Sequence, residues 1–127
     1  RVVTGKNSSL LGPSAALLLN ALKHLAGIDH KLELIPSSVI APISKTKIEY
    51  LGHHNPRLHS DEVLLALSIS GLSNPLAAMV QAQLKNLRGC EAHFSVIISE
   101  EDAKLYKRLG INVSCEAKYE VKSLYHK

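Results

Sequence analysis

The chain has 127 residues, of which 46% are hydrophobic, and a formal net charge of +4. This length suits one domain with an aliphatic core that needs neither a disulfide nor a metal to fold. Because no dense basic run and no apolar run of membrane-spanning length occurs, nucleic-acid binding and membrane insertion are disfavoured. Two cysteines, Cys90 and Cys115, do not make a disulfide framework and indicate reduced thiols in a cytoplasmic protein.

The chain opens at Arg1 without Met, and we expect a fragment of a longer protein whose residues 1–127 form a single α/β domain. A short strand is predicted over residues 2–4, followed by a polar turn. Pro13 sits where a helix starts, and Gly27 is its predicted stop. The alternation of apolar and polar residues predicts a strand over residues 31–35. A second helix should run from residue 37 to Gly52.

Ser60 is the predicted N-cap of a third helix that ends at Gly71 and is apolar on nearly every side, so we expect it to be buried all round. Asn74 and Pro75 start the next helix. Its predicted apolar face comprises Leu76, Val80, Leu84 and Leu87.

Residues 92–98 form the clearest predicted strand, and Ser99 starts a helix that ends at Gly110. A last strand is predicted over residues 111–115, and the tail from residue 116 is a weak edge strand. Strand, helix and strand make a βαβ unit with parallel strands. We therefore predict an α/β fold, a three-layer domain whose small mixed, partly parallel sheet is flanked by helices, with the helix over residues 63–69 at its centre.

The stretch over residues 53–59 is the first candidate site, and we name it the histidine loop. The loop contains His53, His54 and His59, and histidine is the residue type most used for proton transfer and metal binding. Arg57 offers a planar fork for a carboxylate or a phosphate. The loop leads into a helix start near Asp61, which also favours an anion. The alternative interpretation is a structured loop whose histidines face water or satisfy backbone groups.

Two other stretches could carry chemistry. The polar turn with Lys6 lies between a strand and a helix and could cradle a phosphate, although it is not a Walker A motif and also fits an ordinary turn. Cys90, Glu91 and His93 adjoin a strand start. Cys90 could act as a nucleophile, but with a histidine of the loop rather than with His93, which should point to the opposite face. The spacing matches no zinc motif, so no metal is predicted.

Residues 4–15, 50–63 and 87–93 resemble the C-terminal part of a bacterial family of uncharacterised proteins, the domain of unknown function eighteen-forty-six. The resemblance covers essentially the whole chain. It implies a longer protein with an α/β portion before this one, and it supplies no catalytic residue. The family pattern has Asn at the position of His54, which argues against an essential role for that side chain.

The sequence does not establish the function of the protein. The leading hypothesis is that the chain is a ligand-binding part of a larger cytosolic enzyme, which binds an anionic small molecule near the histidine loop. The alternative is a non-catalytic docking or oligomerisation module. Expected partners are the N-terminal portion of the same protein and a phosphate- or carboxylate-bearing molecule, with a homo-oligomer left open. The sequence leaves the cofactor unknown. The candidate catalytic residues are His53, His59, Cys90 and His93, and the candidate ligand-binding residues are Lys6, Asn55, Arg57, Asp61 and Glu91.

Overall fold

A computed structural model describes residues 3, 5 and 11–115 of the chain. The chain divides into two compact units, Arg1–Asn86 and Leu87–Lys127. The predicted strand over residues 2–4 and the predicted edge strand after residue 115 fall largely or wholly outside the described residues. Among the described residues, no helix has both the length and the apolar character that a membrane span requires.

The first unit is helical in its described part. Its helices are α1 (Pro13–Leu25), α2 (Ser37–Glu49), α3 (Ser60–Ser70) and α4 (Pro75–Gln81), and α4 runs on into a 3-10 helix, Ala82–Leu87. Helix α3 contacts α1, α2 and α4, which makes it the central helix of this unit. The core is aliphatic, as the composition predicts, with Leu18, Leu22, Val63, Leu67 and Val80 almost completely buried.

The end of α1 confirms the predicted glycine stop. Gly27 has a φ of +73°, a conformation that residues with a Cβ rarely adopt. Its N–H donates to the carbonyl of His24 at 3.1 Å, and the N–H of Ile28 donates to the carbonyl of Lys23 at 2.9 Å. This pair of bonds is a Schellman motif, which satisfies the last carbonyls of the helix.

The strand predicted over residues 31–35 is wrong. That segment contains turns and bends, and the adjacent residues Leu34 and Ile35 are both buried instead of alternating. The physical reason is Lys23, whose ammonium binds the carbonyl of Leu32 within this segment at 2.7 Å and the carbonyl of His30, just before it, at 3.0 Å. Carbonyls that bond a side chain in this way are withdrawn from a strand ladder.

The expectation that α3 is buried on every side is also wrong. Val63, Ala66, Leu67 and Ser70 are buried, but Leu65 and Ile69 are largely exposed. Helix α4 shows a related difference, because its buried face comprises Ala77 and Val80 while Leu76 is exposed. Of the four leucine and valine residues predicted to share this face, Val80 and Leu87 are buried and Leu84 is half-buried, so the difference is confined to Leu76 in the first turn of α4.

The second unit is the predicted βαβ unit. Strands β1 (Glu91–Phe94) and β2 (Asn112–Cys115) are parallel and joined through α5 (Glu100–Arg108). Ser99 caps α5 by accepting the N–H of Asp102 at 3.1 Å, as the sequence predicts. Strand β1 ends at Phe94 instead of residue 98, because the chain bends at Ser95 and Val96. The small α/β class with parallel strands is therefore confirmed.

Candidate functional site

The histidine loop joins α2 to α3 and is fixed to the segment before α1. Leu58 is completely buried and forms an isolated parallel bridge with Leu11. The N–H of Gly12 donates to the Leu58 carbonyl at 3.1 Å. The fold therefore brings Leu11 and Gly12, the two residues before α1, against the loop. Lys6 lies outside the described residues.

Side chains of α2 hold the loop backbone from the other side. Ser44 Oγ donates to the carbonyl of Pro56 at 2.6 Å, and Lys47 Nζ donates to the carbonyl of Arg57 at 2.6 Å. Asn55 Oδ1 accepts the N–H of Arg57 at 3.0 Å, which closes a local turn of the type that asparagine favours. The backbone that carries Arg57 is thus anchored by three hydrogen bonds around residues 55–57.

A buried ion pair ties the loop to the start of α3. The side chain of Lys47 is 2% exposed, and its ammonium lies 2.7 Å from Glu62 Oε1. The same carboxylate oxygen accepts the N–H of His59 at 2.8 Å. This second bond is the reciprocal half of a capping box, in which the third residue of a helix reaches back to the N-cap.

The cap differs from the prediction. His59 is the N-cap of α3, and Ser60 is its first helical residue. The capping box is formed between His59 and Glu62, whose carboxylate reaches back to the N–H of His59, so the N-cap lies one residue earlier than predicted. Asp61 remains in the first turn, as predicted, and is exposed.

The predicted ligand residues of the loop differ in exposure. His53, His54, Asn55 and Asp61 are exposed, whereas Arg57 and His59 are half-buried. His53 is anchored through its backbone, because its N–H donates to the Lys47 carbonyl at 3.0 Å. The five candidate site residues His53, Asn55, Arg57, His59 and Asp61 thus lie on one loop and the first turn of the helix that follows it.

Arg57 stands apart from the other basic side chains of residues 11–115. Two lysines, Lys23 and Lys47, are buried and have hydrogen-bond partners. Arg57 is half-buried, and every other lysine and arginine in this part of the chain is exposed. Within the described residues, its guanidinium forms no ion pair with a carboxylate.

Cys90, Glu91 and His93 lie in the second unit. Glu91 and His93 occupy the exposed face of β1, opposite the buried Ala92 and Phe94. His93 pairs with Ser114 in the ladder, and its Nδ1 lies 2.8 Å from Ser114 Oγ. The sequence suggested Cys90 and His93 as catalytic candidates, and their side chains are both exposed.

Acidic, histidine and cysteine side chains do not gather in threes at metal-binding distance within the described part of either unit. A Zn²⁺ site takes at least three protein ligands. The described residues therefore form no group of side chains that could hold a metal ion.

Sequence reasoning missed Lys47, Glu62 and Ser44, the side chains that hold the loop. A signal for Lys47 is present in the sequence, since it follows Ile40 and Ile43 at helical spacing on the face of α2 that should be buried. A lysine on such a stripe indicates a buried cation with a specific partner. Glu62 carries a signal as well, because it stands three residues after His59 at a helix start.

The chain is similar in sequence to one protein family and to several curated bacterial proteins. Residues 1–125 match the family described as domain of unknown function DUF1846, C-terminal. UPF0371 proteins of Corynebacterium efficiens and of Streptococcus thermophilus are 52% and 48% identical to the chain over 127 residues, all of its length. A UPF0371 protein of Streptococcus pneumoniae is 48% identical over 126 residues. The chain spans 26% of the length of each of these curated relatives.

Proposed function

The chain belongs to the DUF1846 C-terminal domain family, and from this premise we propose that it is a ligand-binding part of a larger cytosolic enzyme. The proposed ligand is an anionic small molecule that bears a phosphate or a carboxylate and binds at the histidine loop. Arg57 pairs with the anion, and His53 or His59 exchanges a proton with it.

One observation carries the proposal: Arg57 is half-buried, yet no carboxylate among residues 11–115 pairs with it. Withdrawing a charge from water costs free energy unless a counter-charge or hydrogen bonds replace the lost hydration. For Lys47 the counter-charge is the Glu62 carboxylate of the same chain. For Arg57 a bound anion would supply the counter-charge.

The anchoring of the loop supports the same conclusion. Ser44, Lys47 and Asn55 fix the backbone of residues 55–57 before any ligand arrives. A site whose backbone is already ordered loses less conformational entropy on binding, so its affinity is higher. Arginine suits this task because its planar fork can form two parallel hydrogen bonds to a carboxylate or a phosphate.

The histidines give the site its proposed reactivity. His53 and His59 flank Arg57 at the two ends of the loop, and imidazole is the side chain that most readily exchanges a proton near neutral pH. The backbone of each is held by a hydrogen bond, His53 to Lys47 and His59 to Glu62. An imidazole carried on an anchored backbone beside a bound anion is the group that a proton-transfer step needs.

A thermal-shift screen of the full-length protein tests the proposal. The probes are inorganic phosphate, nucleotides and phosphorylated metabolites, and a true ligand raises the melting temperature in a saturable manner. We expect Arg57→Gln to remove this shift and the matched variant of an exposed arginine, Arg108→Gln, to retain it. Equal shifts in both variants would exclude Arg57 from the site.

A further inference from the structure

Five exposed apolar side chains follow one another along the α3–α4 hairpin at helical spacing: Leu65, Ile69, Leu72, Leu76 and Met79. We call them the apolar strip. Leu72, between the two helices, is 88% exposed, and Leu65 is 64% exposed. Steps of three or four residues put the members of each helix on one side of it.

The strip lies in a segment without charge. No lysine, arginine, histidine, aspartate or glutamate occurs between Glu62 and Lys85. The exposed face of a solvated helix normally carries charged residues. Helix α5 of the same chain follows that rule, with Glu101, Lys104, Lys107 and Arg108 exposed. The difference indicates that the outer face of the α3–α4 hairpin is adapted to contact protein and not water.

We propose that the apolar strip is the surface on which the preceding portion of the full-length protein docks. In the curated relatives the chain accounts for 26% of the length, and the family describes it as a C-terminal domain. About three-quarters of those proteins is therefore available to supply an apolar face opposite the strip. The inference does not depend on the anion site, because the strip and the histidine loop share no residue.

The size of the strip favours a tethered partner over a second copy of the chain. An interface between independent proteins uses roughly 20–30 residues on each side to offset the entropy lost on association. The strip has five exposed apolar residues. A partner on the same polypeptide is already held at a high effective concentration, so a smaller contact is sufficient.

Hydroxyl-radical footprinting of the wild-type full-length protein tests the inference without a variant that could misfold. Leu65 and Leu51 are matched reporters, since they are the same residue type and are 64% and 62% exposed in this chain. If the preceding portion covers the strip, Leu65 is oxidised several-fold more slowly than Leu51, and the ratio stays constant on dilution. The oxidation rate of Leu72 can be compared in the same way with that of Leu32, an exposed leucine outside the strip.

Two results would overturn the inference. Equal oxidation of Leu65 and Leu51 in the intact protein would show that nothing covers the strip. Protection of Leu65 that disappears on dilution, together with a change in oligomeric state by sedimentation, would assign the strip to a second copy. Thermal-shift results with phosphate affect neither outcome, so failure of the anion proposal and failure of this one are separable.

Discussion

Lys47 and Glu62 are joined by a 2.7 Å ion pair that connects the last turns of α2 to the first turn of α3. The ammonium also binds the Arg57 carbonyl, and the carboxylate also binds the N–H of His59. Two residues of the histidine loop are thus fixed by one buried pair. The pair provides the anchored backbone on which the proposed anion site depends.

Lys47→Met should destabilise the protein by about 3 kcal/mol, because it leaves the largely buried Glu62 carboxylate without its cation. Lys45→Met is the matched control, an exposed lysine on the same helix, and should change the free energy of unfolding by less than about 0.5 kcal/mol. Chemical denaturation measures both values. If the two variants lose the same stability, Lys47 does not anchor the loop.

Arg57→Gln should separate binding from stability. Arg57 forms no ion pair with the described residues, so in the absence of ligand its loss should change the free energy of unfolding by less than about 1 kcal/mol. The stabilisation by added anion should disappear in the same variant. A large loss of stability without ligand would instead identify Arg57 as a structural residue of the fold.

Tyr106→Phe should change the alkaline stability of the protein. Burial, with a further contribution from Asp102, raises the pKa of Tyr106 well above its usual value of 10.0. Above pH 10 the unfolded chain therefore loses a proton that the folded protein keeps, and the free energy of unfolding falls with pH by up to about 1.4 kcal/mol per pH unit. Phenylalanine removes this contribution while its ring can keep the edge contact with Phe94.

The measurement is urea denaturation of wild type and Tyr106→Phe across roughly pH 9 to 11. The stability difference, wild type minus variant, should decline as pH rises through 10. A difference that stays constant over this interval would show that the phenol ionises equally in the folded and unfolded states.

Lys23→Met should show the opposite pH dependence. Burial lowers the pKa of Lys23 below 10.5, although Asp29 and Glu33 partly oppose the shift. Between the folded and unfolded pKa values the unfolded chain binds more protons, so the contribution of Lys23 to stability rises with pH. The difference between wild type and Lys23→Met should therefore increase toward pH 10.5. The exposed Lys31, as Lys31→Met, is the control and should show no such trend.

Local signals explain why the helices could be predicted from the sequence. Gly27 stops α1, Asn74 Oδ1 accepts the N–H of Leu76 at the start of α4, and Ser99 caps α5. Each signal acts within a few residues of the helix end that it fixes. The parallel βαβ pairing also follows from local order, since a short helix between two strands permits little else.

The features that sequence reasoning missed depend on contacts between distant residues. Apolar and polar residues alternate over residues 31–35 as in a strand, but the ammonium of Lys23 binds the carbonyl of Leu32 in this segment and that of His30 just before it. The helical spacing of α2 indicates that Lys47 is buried, but its partners, the Arg57 carbonyl and Glu62, lie 10 and 15 residues further along the chain and are not identified by that spacing. The exposure of Leu65 and Ile69 likewise reflects which side of α3 its neighbours cover, which apolar composition cannot decide.

The most direct test of the anion site is the structure of the full-length protein crystallised with selenate, whose selenium is located by anomalous scattering. The proposal predicts an anomalous peak within hydrogen-bonding distance of the Arg57 guanidinium and of the ring of His53 or His59. An Arg57 guanidinium paired with a carboxylate of the preceding portion, with no anomalous peak beside it, would contradict the proposal.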